Sequence, residues 1–265
     1  MSAVGILQKM PAYVNGREVH YRLIIGTEEI ALNPYIGQRI SLNYSGEIFC
    51  IYCGRKTKKS WSQGFCYPCS QNLARCDMCI VRPERCHYHL GTCREPAWGL
   101  EHCFKPHIIY LANASGVKVG ITRAKNIPQR WLDQGAIQAL PILAVQSRIN
   151  AGKLEVAMAQ FVADKTNWRA MLKNETKPQT LAAESSRLLA KITPLIAQCN
   201  AEVLNQEMLT FNYPVIQYPT KILSLNFDKT PLIEGELMGI KGQYLLLSSG
   251  VINIRKFSGY RVEFN

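Results

Sequence analysis

Apolar and polar residues alternate in short runs at both ends of the 265-residue chain. Between Arg17 and Ile48 the runs VHYRLII, EEIAL and RISLNY are broken at Gly26, Asn33-Pro34, Gly37 and Gly46. A period of two with Gly and Pro punctuation predicts short strands. Residues 213–264 repeat the style in KILSLNF, LIEGELMGI, YLLLSS, VINIRKF and YRVEF, with Gly235, Gly239, Gly242, Gly250 and Gly259 as breaks. This second set resembles a small β-barrel. One sheet could take strands from both ends.

The middle of the chain reads as helix. IPQRWLDQGA offers Asn126 as an N-cap, Pro128 in the first turn and Gly135 as the stop. AGKLEVAMAQFVADK sets Leu154, Ala157, Met158 and Phe161 on one stripe. TLAAESSRLLAKITPLIAQCNAEVLNQEML is a long helical pattern that Pro194 should kink or split. Cys199, on that pattern, reads as a core thiol. Asn167 and Trp168 read as the cap and first packed residue of a short helix.

Residues 107–123, HIIYLANASGVKVGITR, alternate on both sides of Asn-Ala-Ser-Gly. This is a hairpin pattern. A three-residue loop would pair Tyr110 with Lys118. One face is then apolar (Ile109, Leu111, Val117, Val119, Ile121). The other presents Tyr110, Lys118, Gly120 and Thr122, and a bare glycine there would let a ligand approach the backbone.

Cysteine changes the picture between these parts. CIYCGRKTKKSWSQGFCYPC has the spacing C-x2-C-x12-C-x2-C, with Cys50, Cys53, Cys66 and Cys69 as two knuckles. Zinc takes four thiolates at tetrahedral corners, and this spacing is that of a zinc ribbon. A second group follows in CDMCIVRPERCHYHLGTCREPAWGLEHC. Cys76, Cys79, Cys86 and Cys93 form the first candidate set for a second zinc. Cys76, Cys79, Cys86 and His89 form the second set, and His87, His102 and Cys103 are further candidates. The pattern gives about two zinc ions per chain. It also suits a reducing compartment, and with no secretory signal and no apolar run near about 20 residues it points to the cytoplasm and away from a membrane.

Net charge is +12, and residues 51–130 hold 13 basic against four acidic side chains. Such an excess marks a surface for polyanions, DNA or RNA. Arg55, Lys56, Lys58 and Lys59 lie between the knuckles and Arg123 ends the hairpin, so these five are the candidate phosphate contacts.

IIY at 108–110 and KVG at 118–120, followed by Thr122, Arg130 and Glu155, resemble the GIY-YIG nuclease superfamily over about residues 107–165. Lys118 stands where that pattern has its second tyrosine, and Ile108 where it has its first glycine. The resemblance implies phosphodiester hydrolysis with Mg or Mn. Glu155 would hold the metal, Arg130 the scissile phosphate, and Tyr110 would orient or deprotonate a water with Lys118 lowering its pKa. More broadly the chain is similar to a bacterial and archaeal family of unknown function with this zinc block and the QRWLDQGA segment. The bland alternative is a plain hairpin with Tyr110 packed at an edge, Arg130 paired to Asp133 and Glu155 solvated.

The expected architecture is α+β: a β-rich segment over 1–48, a zinc-binding block over 49–106, a GIY-YIG-like α/β domain with a helical extension over 107–209, and a β-rich segment over 210–265. Two functions follow from it. One is a zinc-ribbon-bearing nuclease; the other is a non-catalytic nucleic-acid, tRNA or ribosome accessory protein on the same scaffold.

Overall fold

The strands expected between Arg17 and Ile48 form in the computed structural model, which describes residues 2–265, and two further strands precede them. They are β1 (Ala3–Ile6), β2 (Ala12–Asn15), β3 (Glu18–Ile25), β4 (Glu28–Ala31) and β5 (Arg39–Phe49). A two-residue strand, β6 (Lys56–Thr57), and helix α1 (Tyr67–Asn72) belong to the ribbon, and α2 (Pro96–His102) ends the cysteine block. The central unit contains β7 (His107–Asn113), β8 (Val117–Arg123), α3 (Gln129–Asp133), β9 (Gln138–Val145) and α4 (Arg148–Met158). Then come α5 (Trp168–Leu172), α6 (Leu181–Lys191), α7 (Thr193–Gln198), β10 (Glu202–Val203) and β11 (Leu209–Thr210). Four strands close the chain: β12 (Leu232–Lys241), β13 (Tyr244–Leu247), β14 (Gly250–Asn253) and β15 (Tyr260–Phe264).

Both ends of the chain enter one sheet. Its order is β1-β15-β5-β12-β13-β14, with β6 added to β5. β5 lies between β15 and β12, so an N-terminal strand is the middle of the C-terminal sheet. The barrel expected for 210–265 does not close, since the strand path runs from β1 to β14 without joining its ends. KILSLNF forms no strand and touches the sheet through a single bridge, Ser224 to Val251. β2, β3 and β4 make a separate three-stranded sheet.

The central sheet has the order β10-β9-β7-β8, with β11 also on β9. The hairpin has its three-residue loop, but its register differs from expectation. Tyr110 pairs with Gly120 and Lys118 with Ala112. The shift is by two residues, so each side chain keeps the face its parity assigned. Ile109, Leu111, Val119 and Ile121 pack in one core with Leu154 and Met158 of α4 and Leu181 and Leu188 of α6. Ile108, Tyr110 and Ala112 face the opposite way and join the core of the large sheet through Trp131 and Leu132. The hairpin is therefore covered on both faces, and every residue of β7 is buried. Alternation along a strand assigns faces; it does not say that the second face meets water.

The helices are shorter than their patterns. α3 begins at Gln129, preceded by Pro128, and Asn126 sits in a short 3-10 turn instead of capping it. Gly135, at φ +68°, ends this segment as expected. α4 stops at Met158 and leaves Phe161 off its stripe and exposed. Pro194 does split the long pattern, which passes from α6 to α7 and then turns into β10 and β11. Asn167 caps α5, its side chain accepting from the Arg169 and Ala170 amides. Trp168 stacks on Tyr244 at 5.6 Å, and Cys199 is buried in the core beneath α6.

Candidate metal centre and arginine cleft

Cys50 stands at the end of β5 and Cys66 just before α1, so two different elements bring the knuckles together. Within the first, the Gly54 amide donates to the Cys50 carbonyl, and Gly54 takes φ +70° to close the turn. The Ile51 amide donates to the Gly64 carbonyl and ties the two knuckles. The sulfurs of Cys50, Cys53, Cys66 and Cys69 all lie within 4.8 Å of one another. Burial pushes the Cys50 thiol up, but the amides of Cys53, Cys66 and Tyr52 outweigh it and bring the thiol down to about 6. Four convergent sulfurs, one of them already favoured as thiolate, fit zinc.

The ribbon docks on the large sheet. The Phe49 amide donates to the Gly259 carbonyl and the Ser60 hydroxyl to that of Ser258. This seats the ribbon loop at Ser62 and Gln63 beside Arg255. The second cysteine segment docks on α4: the Arg148 amide donates to the Cys103 carbonyl, and a Cβ on Gly152 would meet the Glu84 nitrogen at 2.5 Å.

A cleft of about 540 Å³ lies where the ribbon loop, the second cysteine segment, the central sheet and the large sheet meet. Five arginines line it: Arg75, Arg123, Arg130, Arg148 and Arg255. Its one acidic group, Asp77, is already bound to Arg94 at 2.7 Å. Among the described residues none of the five arginines has an ion-pair partner. Burial lowers the pKa of Arg123, Arg148 and Arg255, a sign that these guanidinium groups are partly stripped of water. Two other open hollows, of about 510 and 440 Å³, are lined by one cation each. The density of unpaired arginine distinguishes the cleft.

Outside the cleft mouth the ribbon carries exposed aromatic rings. Arg75 lies over the Tyr52 ring at 5.4 Å, Lys59 over Trp61 at 4.5 Å, and Trp61 meets Tyr67 edge-on. Tyr52, Trp61 and Tyr67 are all exposed. Of the expected phosphate contacts, Arg123 lines the cleft, while Arg55, Lys56, Lys58 and Lys59 sit on the outer finger of the ribbon. Lys56 is tied to Glu47 at 2.8 Å.

Tyr110, Lys118, Arg130 and Glu155 do gather. Lys118 and Glu155 each feel Arg130 and each other, and Asp164 acts on both. Burial brings Lys118 down to about 8 and lifts Glu155 to about 7. Tyr110 does not have the place expected of it. It is wholly buried, its hydroxyl accepts from Gln134 at 2.9 Å, and burial raises its pKa despite the Arg130 charge. The space over Gly120 is filled by the phenol itself, since a Cβ there would lie 2.7 Å from the Tyr110 hydroxyl. Glycine serves the close approach of a side chain, not of a ligand. Arg130 is not paired to Asp133, whose carboxylate instead binds Lys9, Gln129 and Gln243. His107 is buried, its Nδ1 is 2.7 Å from the Lys105 carbonyl, and burial lowers it to about 4.

The second cysteine group also differs from expectation. Cys76 leaves it, packing against the apolar floor of the first cluster and lining the arginine cleft. His89 is exposed and His102 stacks on Trp98 at 4.2 Å. Asp77, Cys79 and His87 bring ligand atoms within 4.8 Å of one another, a group compatible with zinc. Arg75, Arg148 and Arg255 were not visible as site residues in the sequence. They come from three distant segments, and no local pattern joins them.

No curated protein and no solved structure matches the chain. No helix among the described residues is long and apolar enough to cross a membrane. A family described as "Protein of unknown function (DUF2797)" matches residues 37–262, which takes in the ribbon, the central hairpin and most of the large sheet, and the chain belongs to that family.

Proposed function

We propose that the protein binds nucleic acid, holding backbone phosphates in the arginine cleft and stacking bases on the ribbon's exposed rings. The observation that carries this is the set of five arginines in one open cleft, none of them within ion-pair distance of a carboxylate among the described residues. Guanidinium groups held close together repel one another, three of these five (Arg123, Arg148 and Arg255) are partly stripped of water, and a phosphate between them relieves that repulsion with bidentate hydrogen bonds. Arg75 belongs both to the cleft and to the Tyr52 ring, so a strand leaving the cleft would meet Tyr52, and the Trp61–Tyr67 pair offers further rings on the same ribbon. Phosphate contacts give affinity, and rings that stack any base favour single strands. Zinc held by Cys50, Cys53, Cys66 and Cys69 supplies structure: it ties a polar ribbon into a platform for those rings.

Hydrolysis is the second reading, and the gathering of Lys118, Arg130 and Glu155 favours it. Two observations stand against it. Tyr110 cannot touch a substrate from inside the core. Glu155, lifted to about 7 by burial, has Arg130, Arg148 and Lys118 around it against one carboxylate, Asp164, so cations outnumber the groups that could hold a divalent ion. We therefore derive no step through magnesium or manganese.

The test is fluorescence anisotropy with a labelled single-stranded oligonucleotide and its duplex, as DNA and as RNA, with a parallel gel for cleavage in Mg²⁺ or Mn²⁺. Salt-sensitive binding without cleavage supports the binding reading. Cleavage that Glu155→Gln abolishes would replace it with the nuclease, and no binding of any substrate at low salt would end both.

A further inference from the structure

We propose that the segment from Asp77 to Cys103 folds around a second structural zinc ion held by Cys79, Cys86, Cys93 and Cys103. All four cysteines line one cavity of about 10 Å³. That is the volume of about one water-sized sphere, room for an ion and little else. Cys86 and Cys103 are buried, and a Cβ on Gly99 would lie 3.5 Å from the Cys93 sulfur.

Apart from its docking on α4 and a few polar contacts, little holds the chain around the cavity in shape. Between Asp77 and Cys103 the regular structure is three short 3-10 turns and the seven-residue α2. The buried residues there are Asp77, Pro83, Cys86, Gly99 and Cys103, and no apolar cluster forms among them. Met78, Val81, Leu90 and Leu100 all point outward. A segment of this length without a core needs a staple, and four thiols lining one small cavity can close on a metal ion to form it.

Asp77 and His87 share the cavity but are otherwise engaged. The Asp77 carboxylate binds Arg94 at 2.7 Å and accepts from the Cys79 amide, and His87 Nδ1 is 2.7 Å from the Thr92 hydroxyl. His87 Nε2 faces the Asp77 carboxylate at 3.5 Å, so the two meet each other, and in the proposed site they act as partners that orient it. Binding balances as one Zn²⁺ taken up and four thiol protons released, leaving a tetrathiolate of net charge −2. That charge lies near Arg123 and Arg148: Cys103 acts on both, and Cys79 on Arg148. It helps hold two of the cleft arginines side by side.

Metal content of the full chain, measured by elemental analysis after native purification, tests this ligand set. Wild type should carry two zinc ions, and Cys76→Ser, His87→Gln and Asp77→Asn should each keep two. Cys103→Ser and Cys93→Ser should fall to one. Where a serine variant does not fold, Cys103→His, which keeps a zinc ligand, should fold with two, and Co²⁺ reconstitution should show weaker thiolate-to-cobalt absorption than wild type. One zinc in wild type, or loss of an ion in Cys76→Ser or His87→Gln while Cys103→Ser keeps two, would overturn the assignment.

Discussion

Replacing Arg123 and Arg255 together by alanine removes two guanidinium groups that reach the cleft from the end of β8 and from the 3-10 turn between β14 and β15. If each neutralises one phosphate, each contributes about 0.7–0.9 to the slope of log K against log salt. The pair then accounts for about 1.4–1.8 of that slope. Between 1 M salt, where the effect vanishes, and about 0.15 M, this is about 15- to 30-fold in affinity, or about 1.6–2 kcal/mol. Neither arginine has an ion-pair partner to lose, so stability should change by less than about 0.5 kcal/mol for each. The assay is anisotropy titration of a labelled single strand at several salt concentrations, with urea unfolding as control. A folded double variant that binds with unchanged slope and affinity would refute phosphate binding in the cleft.

Other outcomes follow from single contacts. Burial lifts Glu155 from the usual 4.5 to about 7. Its contribution to stability is full below pH about 4.5 and is lost as pH rises through about 7. The loss is on the order of 3 kcal/mol, and Glu155→Gln should flatten it in unfolding measured at pH 5 and pH 8. Gly120→Ala would drive the Tyr110 hydroxyl off Gln134, and should destabilise by about 1–3 kcal/mol in urea with little effect on zinc content. Cys66→Ser should release the ribbon's zinc and abolish binding, read by elemental analysis and by anisotropy. If binding survives loss of that zinc, the ribbon is not the platform.

The ribbon was legible because its chemistry is local: two knuckles at fixed spacing bring four sulfurs within 4.8 Å of one another. The strands at both ends were legible as strands, and the sheet that unites them was not, because β5 meets β12 and β15 across about two hundred residues, with partners such as Asn43 and Leu232 or Leu42 and Phe264. The hairpin's faces could be read from alternation. That its second face is buried could not, because Trp131 and the large sheet cover it. Tyr110 thus looked like a site residue from its neighbours in sequence and proved to be core from its neighbours in space. The cleft was the least legible feature. Arg75, Arg123, Arg130, Arg148 and Arg255 become one site only when the ribbon, α4 and the large sheet have docked.

Photo-crosslinking tests the central claim most directly. A single-stranded oligonucleotide carrying photoreactive bases is bound to the wild-type protein, irradiated and digested, and the crosslinked peptides are read by mass spectrometry. The proposed path predicts crosslinks at Tyr52, Trp61 or Tyr67 and in the peptides around Arg75 and Arg123, all lost with the double arginine variant. Crosslinks confined to surfaces away from the cleft, such as α6 or the β2-β3-β4 sheet, would contradict it.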